Sequence, residues 1–224
     1  MPSGEAVKAW YNQLYATKGL GSMRPREAYQ RILDLLDLRP GDRLLDVSCG
    51  AGFLLEAAAA RGVKAYGVDL SDEAVHLARG VARNAGLAVS NGEHLPFRDA
   101  AFDCLTCLGS LEHFLDMEQG LREMRRVTRA GARCAIMVPN RHFAGWWLLG
   151  RKGTAQQDVQ ERLLSLGEWS RLFTGHGFAL LRTLPDLWHA EKVRVPVVRS
   201  LVRLAWRLIP LPLQYQFVFV LRRA

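Results

Sequence analysis

Three stretches of the 224-residue chain combine residue types that can do chemistry. The first is Leu44-Leu45-Asp46-Val47-Ser48-Cys49-Gly50-Ala51-Gly52-Phe53-Leu54, an apolar run that passes through a turn of small residues into a second apolar run. Small residues let a main chain approach a bound molecule closely, and the amides of a helix starting there point at its polar groups. The second is Tyr66-Gly67-Val68-Asp69-Leu70-Ser71, where an apolar run ends in an acid 17 positions after Gly52. A carboxylate so placed can accept hydrogen bonds from both hydroxyls of a ribose. The third is Leu108-Gly109-Ser110-Leu111-Glu112-His113-Phe114. There a neutral imidazole can take a proton from a hydroxyl or a carbon acid near pH 7. Each stretch has a plainer reading. Asp46 can serve only to brace the turn, and His113 only to order its loop. Asp69 can cap the next helix, although Ser71 suits that role better.

The elements that must position these residues alternate regularly. An opening helix over 26–36 puts Ile32, Leu33, Leu35 and Leu36 on an apolar stripe, and Arg39-Pro40-Gly41-Asp42 stops it. Strands are expected over 43–47, 64–68, 88–90, 102–108 and 132–138, with helices over 53–61, 72–84 and 117–127. Strands alternating with amphipathic helices predict a parallel sheet covered on both faces. A helix over 167–174, a strand over 178–184 and a late strand over 214–221 follow. Asn140 to Leu166 is a long connection containing Trp146-Trp147-Leu148-Leu149, and connections of that length are commonly functional.

Composition narrows the class. Hydrophobic residues make up 49% and charged residues 23%, values of a folded domain with a real core. The N-terminus lacks the apolar core of a secretion signal, and no apolar run approaches the roughly 18 residues of a spanning helix, so a cytoplasmic protein is expected. Cys104 and Cys107 form a C-x-x-C, but no second ligand pair accompanies it. Of the four cysteines, Cys49, Cys104, Cys107 and Cys134, the pair Cys104 and Cys107 is therefore expected to be small hydrophobes in a buried strand, with no metal site. The net charge is +8, and the excess lies late in the chain, where Asp186 and Glu191 are the only acids from Arg182 onward.

Taken in order, Asp-x-Ser-x-Gly-x-Gly after the first strand, the acid ending the second, and Asn91-Gly92-Glu93-His94-Leu95-Pro96-Phe97 with Ala101-Phe102-Asp103 after the third resemble the class I S-adenosylmethionine (SAM) dependent methyltransferases. The resemblance is strongest to the small-molecule branch that includes the ubiquinone and menaquinone C-methyltransferases, and it covers about residues 26–140. It implies a Rossmann-like α/β fold, a mostly parallel seven-stranded sheet with helices on both faces and a late antiparallel strand, in a single domain over 1–224. It also implies SAM as cofactor. Asp46 and the backbone at Ser48, Gly50 and Gly52 would hold the methionine moiety. Asp69 would take the ribose hydroxyls, with Leu70 beside the adenine. Asn91, Gly92 and Glu93 would lie at the adenine edge, and Leu108 would put its carbonyl near the cofactor. Tyr11, Tyr15 and Met23 fall in 1–25, where relatives fold a lid. Segments 139–166 and 185–212 would be insertions on the acceptor side.

This chain departs from the family pattern twice. Ser48 replaces a glycine, which the turn tolerates if its φ is negative, and Asn91 replaces a frequent aspartate, leaving a carbonyl oxygen to accept from the adenine amino group.

Methyl transfer from a sulfonium is an in-line displacement, so alignment and exclusion of water matter most and a base is optional. His113 is the candidate base, with His142 a weaker one; His176 and His189 are less well placed. The spacing disfavours the nicotinamide G-x-G-x-x-G, and Asp103 stands alone where aminopropyl transfer would want paired acids. Nucleic acid is disfavoured as a partner: no base-flipping motif or aromatic-interleaved basic stripe accompanies the basic pI. A non-catalytic SAM-binding module is the remaining alternative. Finally, 196–209 reads as a basic amphipathic helix, with Arg199, Arg203 and Arg207 on one face and Val198, Leu201, Val202, Ala205, Leu208 and Ile209 opposite. Its apolar side is expected to pack on the domain. The alternative is peripheral contact with an anionic membrane or a cap over a hydrophobic acceptor pocket, and a lipid-like acceptor suits both that helix and the Trp146-Trp147 pair.

Overall fold

The computed structural model describes residues 3–146, 153, 159–187 and 195–224; Trp147 and His189 lie outside them. The helices are α1 Gly4–Lys18, α2 Arg26–Leu33, α3 Phe53–Ala59, α4 Asp72–Val81, α5 Met117–Val127, α6 Leu166–Gly175 and α7 Pro196–Leu208. The strands are β1 Arg43–Val47, β2 Lys64–Asp69, β3 Gly86–Val89, β4 Phe102–Leu108, β5 Thr128–Pro139, β6 Phe178–Pro185 and β7 Gln216–Arg223. All seven strands join one sheet in the order β3-β2-β1-β4-β5-β7-β6. The first five run parallel, and β7 enters antiparallel between β5 and β6.

Local chemistry explains most of these elements. Ser71 caps α4, its hydroxyl accepting from the Ala74 amide at 3.1 Å. Asp116 caps α5 in the same way, and Ser165 with Glu168 forms a reciprocal capping box for α6. Helix α5 buries Met117, Leu121, Met124 and Val127, spaced at three and four residues, against one face of the sheet. Helices α2 and α3 bury Ile32, Leu33, Leu54 and Leu55 against the other face. The central strands are covered on both sides and read as nearly continuous apolar runs. The four cysteines are free and buried.

Several expected bounds shift. The helix over 26–36 ends at Leu33, and the chain turns through Asp37 at φ 46 before entering β1. β5 starts at Thr128 instead of 132, because Thr128 pairs with Phe102 ahead of an irregularity in the ladder. The late strand begins at Gln216, since Gln214 is engaged elsewhere, donating to the Ile209 carbonyl that ends α7. Helix α1 was not read from the sequence; Ser3 at its start and Gly19 at its end are its clearest signals.

Helix α7 contradicts the expectation that its apolar side packs on the domain. Val197, Leu201, Leu204 and Leu208 are 70%, 60%, 56% and 76% exposed. Trp146 goes the opposite way: it is buried, donates its indole N–H to the Asn140 carbonyl at 2.9 Å and packs edge-on against Phe143 and Tyr215. It therefore belongs to the core and adds nothing to an exposed apolar surface.

Candidate active site

The strand order reverses at β1, whose neighbours β2 and β4 lead away in opposite directions, and such a switch point opens a crevice at the carboxyl ends of the strands. The turn after β1 forms the floor. Ser48, Gly50 and Gly52 have φ of 62°, 52° and 82°. Ser48 thus takes the left-handed conformation, and the expected negative φ is corrected; a residue with a Cβ pays roughly 1–2 kcal/mol for it. Gly50 lies under the N-terminal segment, where a Cβ would come within 2.9 Å of both Met23 Cε and the Tyr15 hydroxyl. Gly52 faces away: a Cβ there would meet Ala78 and Ala82 Cβ at 3.1 and 3.2 Å. Its role is to let α3 and α4 approach, and it does not line the crevice.

Two carboxylates stand behind this turn. Asp69 ends β2 and ties both loops together, accepting from the Gly50 amide and from the Ser71 amide, each at 2.9 Å. Burial pushes its carboxyl up to about 6 against those bonds. Asp46 accepts from the Thr106 hydroxyl at 2.6 Å, and burial outweighs that bond and pushes its carboxyl up to about 7. Two buried acids held this way favour a cationic neighbour, whose field would restore their charge.

A cavity of about 80 Å³ lies over Asp69. Tyr11, Tyr15, Ser48, Asp69 and Leu70 line it, as do Asn91, Gly92, Glu93 and His113. The structure therefore gathers most of the sequence candidates around one void. Asn91 differs from expectation in detail, since its side-chain oxygen accepts from the Glu93 amide at 2.9 Å in a local turn. Glu93 itself accepts from the Leu115 amide at 2.8 Å and holds the loop after β4. A second cavity, of about 480 Å³, adjoins the same floor; Met23, Asp46, Gly50 and Leu108 line it together with Tyr11, Tyr15, Ser48 and His113. His142 is exposed, lies on neither wall, and is not brought to the site.

The larger cavity also holds residues that the sequence reading passed over. Arg24 donates to Asp186 Oδ2 at 2.7 Å and to Gln216 Oε1 at 2.9 Å. Glu112 is 1% exposed, and burial pushes its carboxyl up to about 8. No short motif marks Arg24, because its partners stand 162 and 192 positions away. Glu112 was legible only as the neighbour of His113. The His113 imidazole is 5% exposed, and its Nδ1 lies 2.8 Å from the Gln160 carbonyl. A carbonyl can only accept, so Nδ1 carries the proton and Nε2 is bare. Burial lowers the affinity of the ring for a second proton, so it is neutral. Asp186 lines a third, open cleft of about 750 Å³ with Ile32, Leu35, Leu184, Ile209 and Leu211, so the Arg24–Asp186 ion pair joins the walls of the two spaces.

With that geometry in place, the likenesses to known proteins become informative. A family model described as a methyltransferase domain matches residues 45–136, the span from β1 through most of β5. Over 101 residues the chain is 39% identical to the demethylmenaquinone methyltransferase of Corynebacterium urealyticum, covering 45% of this chain and 43% of that protein. The ubiquinone biosynthesis O-methyltransferase of Azoarcus sp. is 33% identical over 111 residues, 47% of this chain and 48% of that one. The chain thus spans about half the length of the curated relatives it matches. Among solved structures, the 4+2 cyclase SpnF superposes with a TM-score of 0.73 at 17% identity, covering 99% of this chain and 97% of that one. That likeness concerns the fold alone. Residues 45–136 thus match a methyltransferase domain and resemble the quinone methyltransferases, on a sheet with the Rossmann-like fold of the class I methyltransferases.

Proposed function

We propose that the chain is a SAM-dependent methyltransferase acting on a small, hydrophobic or lipid-like acceptor. The observation that carries this reading is the convergence of the turn after β1, Asp69 and the Asn91–Glu93 loop on one void, on a span that matches a methyltransferase domain. The residues fit the cofactor chemically. Each Asp69 oxygen accepts one backbone amide and keeps further lone-pair capacity for a ribose diol. Asp46 and Asp69, raised by burial, suit a neighbour bearing an ammonium and a sulfonium. Bound SAM supplies a methyl group on an already activated leaving group. The chain then has to align the acceptor, exclude water and hold any released proton. The bare Nε2 of His113 faces that last task in the cation-free protein.

The N-terminal segment covers both spaces over the floor: Tyr11 and Tyr15 line each of them, and Met23 lines the larger. Residues 1–25 are therefore proposed as a lid: Tyr11 and Tyr15 of α1, and Met23 beyond it, lie over the floor and move outward to admit SAM. The cleft lined by Ile32, Leu35 and Leu211, with Arg31, Asp34 and Arg182 also on its walls, suits the tail of a lipophilic acceptor, with Arg24 and Asp186 between that cleft and the reacting cavity. Incubation with deuteromethyl SAM and a panel of quinols and prenylated phenols, followed by mass spectrometry, tests the activity. A product three daltons heavier than its unlabelled counterpart is expected. SAM binding with no labelled product from any acceptor class would favour the non-catalytic module.

A second reading, peripheral attachment to an anionic membrane through 196–209, is supported by the exposed Val197, Leu201 and Leu208 on a helix that carries Arg199, Arg203 and Arg207 in its sequence. Vesicle binding tests it. No helix among the described residues is long and apolar enough to cross a membrane.

A further inference from the structure

Three side chains converge beside the larger cavity. Glu112, His113 and Glu161 each offer one ligand atom, and those atoms all lie within 4.8 Å of one another. Glu112 and His113 sit on the single turn Leu111–His113 that follows β4. Glu161 comes from a separate segment, the one that leads into α6. That segment is fixed against the turn by backbone bonding, with the Arg162 amide donating to the Glu112 carbonyl at 2.9 Å.

Two independent features point to a cation. Glu112 Oε2 is buried and has no hydrogen-bond partner, a deficit that costs about 1–3 kcal/mol where nothing compensates it. His113 donates through Nδ1 to the Gln160 carbonyl and directs Nε2 toward Glu112 Oε1, 3.9 Å away. An imidazole anchored by a carbonyl through one nitrogen, with the other bare, is the arrangement that metal-binding histidines adopt.

We propose that Glu112, His113 and Glu161 form a site for a divalent cation, with Zn²⁺ or Mn²⁺ preferred over Mg²⁺, at the acceptor side of the crevice. One imidazole and two carboxylates suit a borderline metal better than a hard one that demands oxygen alone. Bonds of about 2.0–2.2 Å place tetrahedral ligand atoms roughly 3.3–3.6 Å apart, so rotation of the two glutamate side chains closes the set. Three protein ligands leave a position open. An acceptor oxygen taken up there would be polarised by the cation, which would then stand in the place of the bare imidazole. Only this last use of the metal rests on the methyltransferase reading; binding of the metal does not.

The test is calorimetric titration of the full, chelator-treated chain with ZnCl₂, MnCl₂ and MgCl₂, with SAM titrated separately into the same preparations. One saturable site per chain is expected for Zn²⁺ and Mn²⁺, with Mg²⁺ at least tenfold weaker. Glu112→Gln and Glu161→Gln should each weaken Zn²⁺ at least tenfold. Circular dichroism establishes that both variants are folded, and Glu161→Gln keeps the proposal testable if Glu112→Gln does not fold. Absence of saturable binding, or equal affinity in wild type and both folded variants, overturns the site. Loss of SAM binding in wild type would count instead against the cofactor reading, so the two failures are distinct.

Discussion

At the scale of single residues, the crevice spends conformational energy where it needs shape. Ser48 holds a left-handed φ of 62° that a glycine adopts freely. Ser48→Gly relieves that strain but adds freedom to the unfolded chain, and the two effects nearly cancel. The variant is therefore expected within about 1 kcal/mol of wild type in urea unfolding, whereas Ser48→Val, β-branched and unsuited to this φ, should lose at least about 1 kcal/mol. A glycine variant less stable than the valine variant would contradict the assignment. Residue identity made Asp46, Asp69 and His113 legible in the sequence, because Asp46 lies at the end of β1, Asp69 ends β2 and His113 sits in the short turn after β4. Arg24 and Glu161 were not legible, since what places them is tertiary: Arg24 is held by the far end of the chain, and Glu161 by a backbone bond to the turn after β4. For Gly52 the motif says only that a side chain is excluded, and the structure supplies the reason: Ala78 and Ala82 stand where a Cβ would go.

At the scale of elements, β1, β4 and α5 have the limits that apolar patterning suggests, and α1 is the one large omission. Only Val7 of α1 is buried, but Val7, Trp10, Tyr11, Leu14 and Tyr15 recur at helical spacing in the sequence, so the stripe was present and went unread. Helix α7 is the converse case. Its pattern was plain, yet pattern alone does not say what the apolar side meets. With Leu201 and Leu208 exposed, the helix is expected to partition onto vesicles containing anionic lipid and to bind neutral vesicles more weakly. Leu201→Asp with Leu208→Asp should abolish sedimentation with either vesicle. Full recovery in the supernatant both with and without anionic lipid would end the membrane reading.

At the scale of the whole molecule, buried acids around the crevice link stability to pH. Asp46 titrates near 3.8 when exposed and at about 7 in the fold. The folded chain therefore keeps a proton that the unfolded chain releases between those values. The stabilisation is complete below the lower value and is lost as pH rises through about 7. Asp69, raised to about 6, acts in the same direction, while the lowered His113 opposes both. Asp46→Asn removes one of these titrations. Between pH 5 and 7 the cofactor-free variant should lose stability less steeply than wild type, by up to about 1.4 kcal/mol per pH unit. Parallel unfolding profiles for the two proteins would contradict the assignment of a buried, protonated Asp46.

The central claim is that the space over Asp69 receives the nucleoside of SAM. Isothermal titration of SAM into wild type and Asp69→Ala measures it most directly. One SAM per chain is expected for wild type, with at least about tenfold weaker binding in the variant, the loss of roughly 1.4 kcal/mol that follows removal of a hydrogen bond to a charged group. An unchanged dissociation constant in Asp69→Ala, or no binding to the folded wild-type chain, would contradict it.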